Sequence, residues 1–172
     1  LQGQPKKHVL IYRSTMLPGS TEQLVADFLG TFVAQGRLEI LYYPEFLRES
    51  TAVADFREPS LVVVGTHDGQ PFSAALKPLL GAKAQVVTWR TAEMIKYACN
   101  AFHATKVAFA NEIGRLGKEL QLDAQAVMAL LCQDTRLNLS SYYLRPGNPF
   151  GGSCLPKDVR ALGHFGRQNG LS

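Results

Sequence analysis

Four short apolar runs occupy the first half of the chain, and one long helical stripe dominates the second. His8-Val9-Leu10-Ile11-Tyr12, Leu38 to Tyr42, Leu61-Val62-Val63-Val64-Gly65 and Gln85-Val86-Val87-Thr88 have strand length and carry β-branched and aromatic residues, as strands buried in a parallel sheet require. Between the first two, Leu24, Val25, Phe28, Leu29 and Phe32 recur at helical spacing, with Gly36 as a stop. Ser20 followed by Gln23 three residues later predicts a capping box at that helix start. Pro44 to Glu49 reads as a loop, and Ser73 to Leu80 as a short helix. Strands alternating with helices of these lengths predict an α/β fold, a parallel sheet with helices on its faces.

Beyond Trp89 the period changes. Ile95, Cys99, Phe102, Phe109, Ile113, Leu116 and Leu120 trace one stripe, with Thr91 as a candidate cap. At helical rise this is a helix of roughly 45 Å. Met94, Ala98, Ala101, Ala104 and Ala108 lie beside the stripe, so more than one face can be covered, as in a connecting helix that also packs against a second subunit. That predicts a homodimer through this helix. Asp123 is placed to cap a further helix through Val127, Leu130 and Leu131, and Gln133 to Phe150 reads as irregular. Pro156 suits a first helical position and predicts a last helix through Val159, Leu162 and Phe165. The expected organisation is a sheet domain over 1–88 and an all-helical domain over 89–172. No G-x-G-x-x-G follows the first strand, so the sheet has no dinucleotide phosphate loop of its own and reads as the second half of a Rossmann-like domain.

Composition narrows the class. A chain of 172 residues, 46% hydrophobic and 19% charged, is ordinary for a globular protein and unlike a disordered tail or a fibre. The net charge of +4 is scattered, without basic runs or interleaved aromatics. An anionic small molecule therefore fits better than nucleic acid. Three cysteines without metal-like spacing predict no metal site and a reducing, cytoplasmic setting. No apolar run approaches the length of a membrane span, so no membrane partner is expected.

Chemistry concentrates in Phe150-Gly151-Gly152-Ser153-Cys154-Leu155-Pro156-Lys157-Asp158. Cys154 precedes a helix start and has Lys157 nearby, an electropositive setting that favours the nucleophilic thiolate. Cys99 and Cys132 lie in apolar helical surroundings and are expected to be inert core residues, leaving Cys154 as the accessible cysteine. Lys96 and Asn100, four residues apart, project from one helix face and can hold an oxyanion or a water. On that spacing alone a solvated face is the commoner fate. Glu45 and Glu49 follow a strand, at the sheet edge where ligands of open α/β folds bind, and a carboxylate there can serve as a base toward water. Thr15 occupies the same edge.

These segments are shared with a known family. Ser14-Thr15-x-x-Pro18-Gly19, Pro44-Glu45-Phe46-Leu47-Arg48-Glu49, Ala92-Glu93-Met94-Ile95-Lys96-Tyr97 with Asn100, Ala110-Asn111-Glu112-Ile113-Gly114 and the cysteine segment resemble, in order, the motifs of the UDP-glucose/GDP-mannose 6-dehydrogenases. Leu137-Asn138-Leu139-Ser140 and Tyr142-Tyr143-x-Arg145-Pro146-Gly147 look most like the GDP-mannose branch. The resemblance covers nearly the whole chain, with Tyr43 standing where the family usually has asparagine.

That resemblance implies oxidation of a nucleotide-sugar C6 alcohol to the acid with two NAD per turnover, GDP-mannose being favoured over UDP-glucose. It implies Cys154 as nucleophile through a thiohemiacetal and a thioester, and Lys96 and Asn100 as oxyanion stabilisers. Glu49 would assist water or proton transfer, with Thr15 and Asp158 ordering the water. Glu45, Phe46, Leu47, Asn138, Tyr142 and Arg145 would contact the substrate, and Thr15, Glu49 and Lys157 the cofactor. It further implies that this is a middle piece, lacking an amino-terminal phosphate-binding half and a carboxyl-terminal nucleotide domain, and inactive by itself. A non-catalytic dimerisation module is the alternative. A simple hydroxy-acid dehydrogenase is disfavoured, since one hydride transfer needs no nucleophilic cysteine.

Overall fold

A computed structural model describes residues 6–47, 50–80, 84–140, 150, 152 and 154–170, the side chains of Ala75 and Leu162 excepted. It divides into two compact units, Leu1–Phe102 and His103–Ser172.

The first unit is built on a four-stranded sheet in the order β1-β2-β3-β4, comprising β1 (His8–Tyr12), β2 (Leu38–Tyr42), β3 (Val63–Thr66) and β4 (Gln85–Thr88). The inner strands bury nearly every residue and the outer two are half-exposed. Strands β1 and β2 run parallel, in register from His8↔Leu38 to Tyr12↔Tyr42, and β3 and β4 are also parallel. The pairing of β2 with β3, through Tyr42↔Gly65, is antiparallel, so the sheet is mixed where an all-parallel one was expected. The connection explains the difference. A parallel crossover must carry the chain back along a strand of about 16 Å. The only helix described between β2 and β3 is α3 (Ala52–Arg57), about 9 Å long at helical rise.

Alternation along β2 splits the core. Leu38, Ile40 and Tyr42 join Val63, Trp89 and Ala92 on one face, while Leu41 joins Val64 and Leu80 on the other. The first face is covered by a helix in three parts: α1 (Ser20–Leu24), a π-helical segment (Val25–Leu29) and α2 (Gly30–Ala34). Leu29, Phe32 and Val33 pack on the sheet, but Phe28 is 71% exposed. The wider π turn shifts the phase of the apolar stripe and carries Phe28 off it. The expected capping box is absent: Gly19 occupies the N-cap with φ 97°, and the Gln23 amide donates to Asp27 instead. A 3₁₀ turn (Ala74–Leu76) and α4 (Lys77–Leu80) cover the second face.

Helix α5 (Trp89–Glu119) is unbroken over 31 residues. The Thr91 N–H donates to Thr88 Oγ1, so Thr88 is the cap and Thr91 lies inside the first turn. Its first turns pack hard against the sheet. A Cβ on Gly65 would stand 2.9 Å from Ala92 Cβ and 3.0 Å from Trp89 Cα, so only glycine allows this approach. The Trp89 indole N–H donates to Ile40 O at 3.1 Å.

In the second unit, Asp123 caps α6 (Ala124–Leu131), accepting from the N–H groups of Gln125 and Ala126. Gln121, in the α5–α6 turn, adopts φ 54°, and a Cβ on Gly117 would stand 2.7 Å from Ala124 Cβ. Helix α7 (Leu155–Gln168) starts with Pro156 in its first turn and Cys154 at its N-cap. Large apolar side chains remain exposed along α5 and α6 and in the turn between them, among them Val107, Phe109, Leu120 and Leu130. Phe102, Phe109 and Leu120 of the expected buried stripe are thus uncovered.

Candidate functional site

In the first unit the site residues gather at the carboxyl ends of β1 and β2, around the first turns of α5. The buried face of those turns is Trp89, Ala92, Glu93 and Lys96, one helical stripe that includes two charged residues. Lys96 is 8% exposed, not on a solvated face. Its Nζ donates to Glu45 O at 2.6 Å, lies 3.7 Å from Glu45 Oε1, and sits 5.4 Å from the Phe46 ring centroid. The other Glu45 oxygen, Oε2, accepts from Leu47 N at 3.0 Å. Lys96, Glu45, Phe46 and Leu47 are therefore one cluster, in which an ammonium is held against a backbone carbonyl and an aromatic face. Asn100, one turn on, is exposed.

Thr15 is exposed in the Ser14–Gly19 loop after β1. Two groups without a role in the sequence reading fix that loop. The Tyr42 hydroxyl donates to Ser14 O at 3.1 Å. At the other end Glu93, wholly buried, accepts from Gly19 N at 2.6 Å, Thr21 N at 2.8 Å and Thr21 Oγ1 at 2.7 Å. Burial pushes the Tyr42 phenol above its ordinary range; nearby Glu93, Tyr97 and Glu45 add to this, and a backbone hydrogen bond with Met16 opposes it. One signal for Glu93 was present in sequence: it stands between Ala92 and Met94, three residues before Lys96 and so on the same helix face.

Arg13, at the end of β1, places its guanidinium 4.7 Å from the Tyr43 ring and 5.8 Å from Phe56. Tyr43 thus uses its aromatic face where an asparagine would have offered only an amide.

In the second unit Cys154 is exposed at the start of α7, and its carbonyl accepts from Asp158 N at 2.9 Å. Lys157 Nζ pairs with Asp158 Oδ1 at 2.8 Å, both side chains being exposed. Asn138 lies in a turn shaped by Asp134, whose carboxylate accepts from Arg136 N and Leu137 N; the Asn138 amide donates to Leu131 O at 3.2 Å. Cys99 is half-buried and Cys132 exposed. The expectation that Cys132 is a core residue fails because it caps the carboxyl end of α6 instead of facing its packed side. Glu49, Tyr142 and Arg145 lie outside the described residues, as do Gly151 and Ser153. Among the described residues no group of His, Cys, Asp and Glu can hold a metal, and no helix is long and apolar enough to cross a membrane.

Residues 2–79 match the NAD binding domain of the UDP-glucose/GDP-mannose dehydrogenase family and residues 90–172 its central domain. GDP-mannose 6-dehydrogenase of Pseudomonas putida is 46% identical over 94% of this chain and 38% of its own length. UDP-glucose 6-dehydrogenase of Rickettsia conorii is 35% identical over 93% of this chain and 37% of its own. Among solved structures, a ternary complex of GDP-mannose dehydrogenase from Pseudomonas aeruginosa aligns with a TM-score of 0.82 at 40% identity, over 99% of this chain and 40% of that one. This chain spans well under half the length of these relatives. With both its units matched to domains of a single family, the chain belongs to the UDP-glucose/GDP-mannose dehydrogenases.

Proposed function

We propose that this chain carries the reacting part of an NAD-dependent nucleotide-sugar 6-dehydrogenase, with GDP-mannose as substrate and UDP-glucose as the next choice. The observation that carries the reading is Lys96, a buried ammonium held against Glu45 O beside Phe46. An ammonium has three donors, and the Glu45 carbonyl takes one. Preorganised cationic donors of this kind stabilise negative charge that develops on a substrate oxygen.

NAD is the cofactor of the matched domain. The helix that follows β1 already donates Gly19 N and Thr21 N to Glu93, so a pyrophosphate is not held there. Thr15, Glu49 and Lys157 would contact the reactive end of the cofactor. NAD, when bound, takes the hydrides released from the sugar C6.

The residues then divide the work. Glu49 removes the hydroxyl proton as the alcohol becomes an aldehyde, and Lys96 and Asn100 hold the developing oxyanion. The Cys154 thiolate adds to the aldehyde carbon, forming a C–S bond, and the resulting oxyanion takes back the proton from Glu49 to give a thiohemiacetal. Loss of the second hydride and of the hydroxyl proton, which Glu49 accepts and passes to solvent, leaves a thioester. Water, ordered by Thr15 and Asp158 and deprotonated by Glu49, adds to that carbonyl; the C–S bond breaks, Cys154 leaves as thiolate and the acid is released. Glu45, the Phe46–Leu47 backbone, Asn138, Tyr142 and Arg145 hold the nucleotide sugar. Exposure of Phe102, Val107 and Phe109 along α5 supports a homodimer through that helix.

The test is acid formation from GDP-mannose and from UDP-glucose by a protein of the relatives' full length that carries this chain, with nucleotide-sugar binding measured in parallel. Cys154→Ser should stop acid formation and leave binding nearly unchanged, because the thiol acts only after binding. Acid produced by Cys154→Ser at the unmodified rate would remove the reading.

A further inference from the structure

We propose that Glu93 is a positioning residue for this site: it fixes the Thr15 loop to the same helix face that carries Lys96. The inference rests on the function proposed above. Glu93 has no exposed surface, and a carboxylate in such a place persists only with its oxygens satisfied. Both oxygens accept and neither donates: Oε2 takes Gly19 N, while Oε1 takes Thr21 N and Thr21 Oγ1. These partners lie more than seventy residues away in sequence.

A helix cap alone would need only the contacts at the start of α1. The loop before that helix is held at both ends, by Glu93 at Gly19 and by the Tyr42 hydroxyl at Ser14 O, and Thr15 lies between them. Arg90, at the start of α5, adds an outer tie by pairing with Glu22 of α1. On the inner face Lys96 follows Glu93 by three residues and reaches the loop after β2 through Glu45 O. Two neighbouring side chains of one helix thus seize the two loops that leave the parallel pair β1 and β2. Rotation or sliding of α5 would move both loops together, and the spacing of Thr15 from Lys96 is set through Glu93, which touches neither.

Glutamine at this position keeps length and volume but turns an NH₂ group toward backbone N–H groups that need an acceptor. The experiment compares Glu93→Gln, Thr21→Val and, as a control on the opposite face of the sheet, Leu41→Val in the full chain. It records amide hydrogen exchange and the Thr15 methyl resonance. In Glu93→Gln, exchange at Gly19 and Thr21 should rise at least about tenfold and the Thr15 methyl should shift, while Val63 and Val64 keep their protection. Thr21→Val should give the same pattern in smaller degree, and it decides the matter if Glu93→Gln does not fold. Leu41→Val should loosen β2 and β3 and leave the Thr15 methyl in place. An unmoved Thr15 methyl in both loop variants, or an equal shift in Leu41→Val, would overturn the proposal. These readouts need no turnover, so they stand even if the dehydrogenase reading fails.

Discussion

Glu93 and Lys96 of the first unit are buried, whereas Cys154, Lys157 and Asp158 of the second lie on the surface. Glu93 and Lys96 sit among the best-buried side chains of the sheet domain, each held by partners distant in sequence. Cys154, Lys157 and Asp158 are exposed, and both the Lys157–Asp158 ion pair and the bond from Asp158 N to Cys154 O stay within one helical turn. The contrast separates two ways of building a site. A group that must stabilise charge works best when fixed and shielded before substrate arrives. A nucleophile must reach its target, and exposure at a helix start leaves it room to do so.

The largest expected effect tests the fixed half. Lys96→Met removes the charge and keeps much of the volume, so nucleotide-sugar oxidation should fall by about 10²–10³-fold, with a stability cost of about 1–3 kcal/mol because Glu45 O is left without its donor. Steady-state NADH formation beside a thermal melt checks this. A rate within twofold of the unmodified protein would make Lys96 a packing residue. The next effect sharpens the contrast from the other side. Gly117→Val would drive a side chain into Ala124 and should destabilise the α5–α6 turn by about 1–3 kcal/mol. Hydrogen exchange should show loss of protection in α6 with β2 unchanged, and loosening of β2 to the same degree would mean the two units do not hold themselves independently.

The smallest effect is set by pH. Burial, with Glu93, Tyr97 and Glu45 nearby, raises the Tyr42 phenol above its ordinary value, so the folded chain holds that proton more tightly than the unfolded one. Its contribution to stability is complete below pH about 10 and is lost as pH climbs through the raised value. Tyr42→Phe should flatten that alkaline decline while costing about 1 kcal/mol at neutral pH for the lost bond to Ser14 O. Urea titrations at pH 8 and above measure both, and an unchanged alkaline slope would exclude Tyr42 as its source.

Much of the fold was legible because local pattern and tertiary burial agree in it. Strands β1, β2 and β4 fall on their apolar runs, and Asp123 and Pro156 mark helix starts through chemistry confined to one turn. Helix α3 was not read, since Val53 and Phe56 remain exposed and trace no buried stripe. The direction of β3 depends on how the chain returns from β2, which no run of residues encodes. The motifs singled out Lys96 and Cys154, but apolar periodicity on α5 pointed to Ile95 and Cys99. The face that is in fact buried carries Glu93 and Lys96, and burial of a charge becomes visible only when its distant partners, Gly19, Thr21 and Glu45, are in place.

Helix α5 passes from one compact unit into the other without a proline or a break in its hydrogen-bond ladder. The cost of nucleating that helix is met once for both units. Complete melting of α5 would therefore remove a helix from both units, whereas loosening confined to the α5–α6 turn need not reach the sheet. The weak points are the glycines at 114 and 117, which lower helix propensity by about 1 kcal/mol each relative to alanine. Fraying should therefore begin beyond Ile113, well away from the turns that hold Glu93 and Lys96.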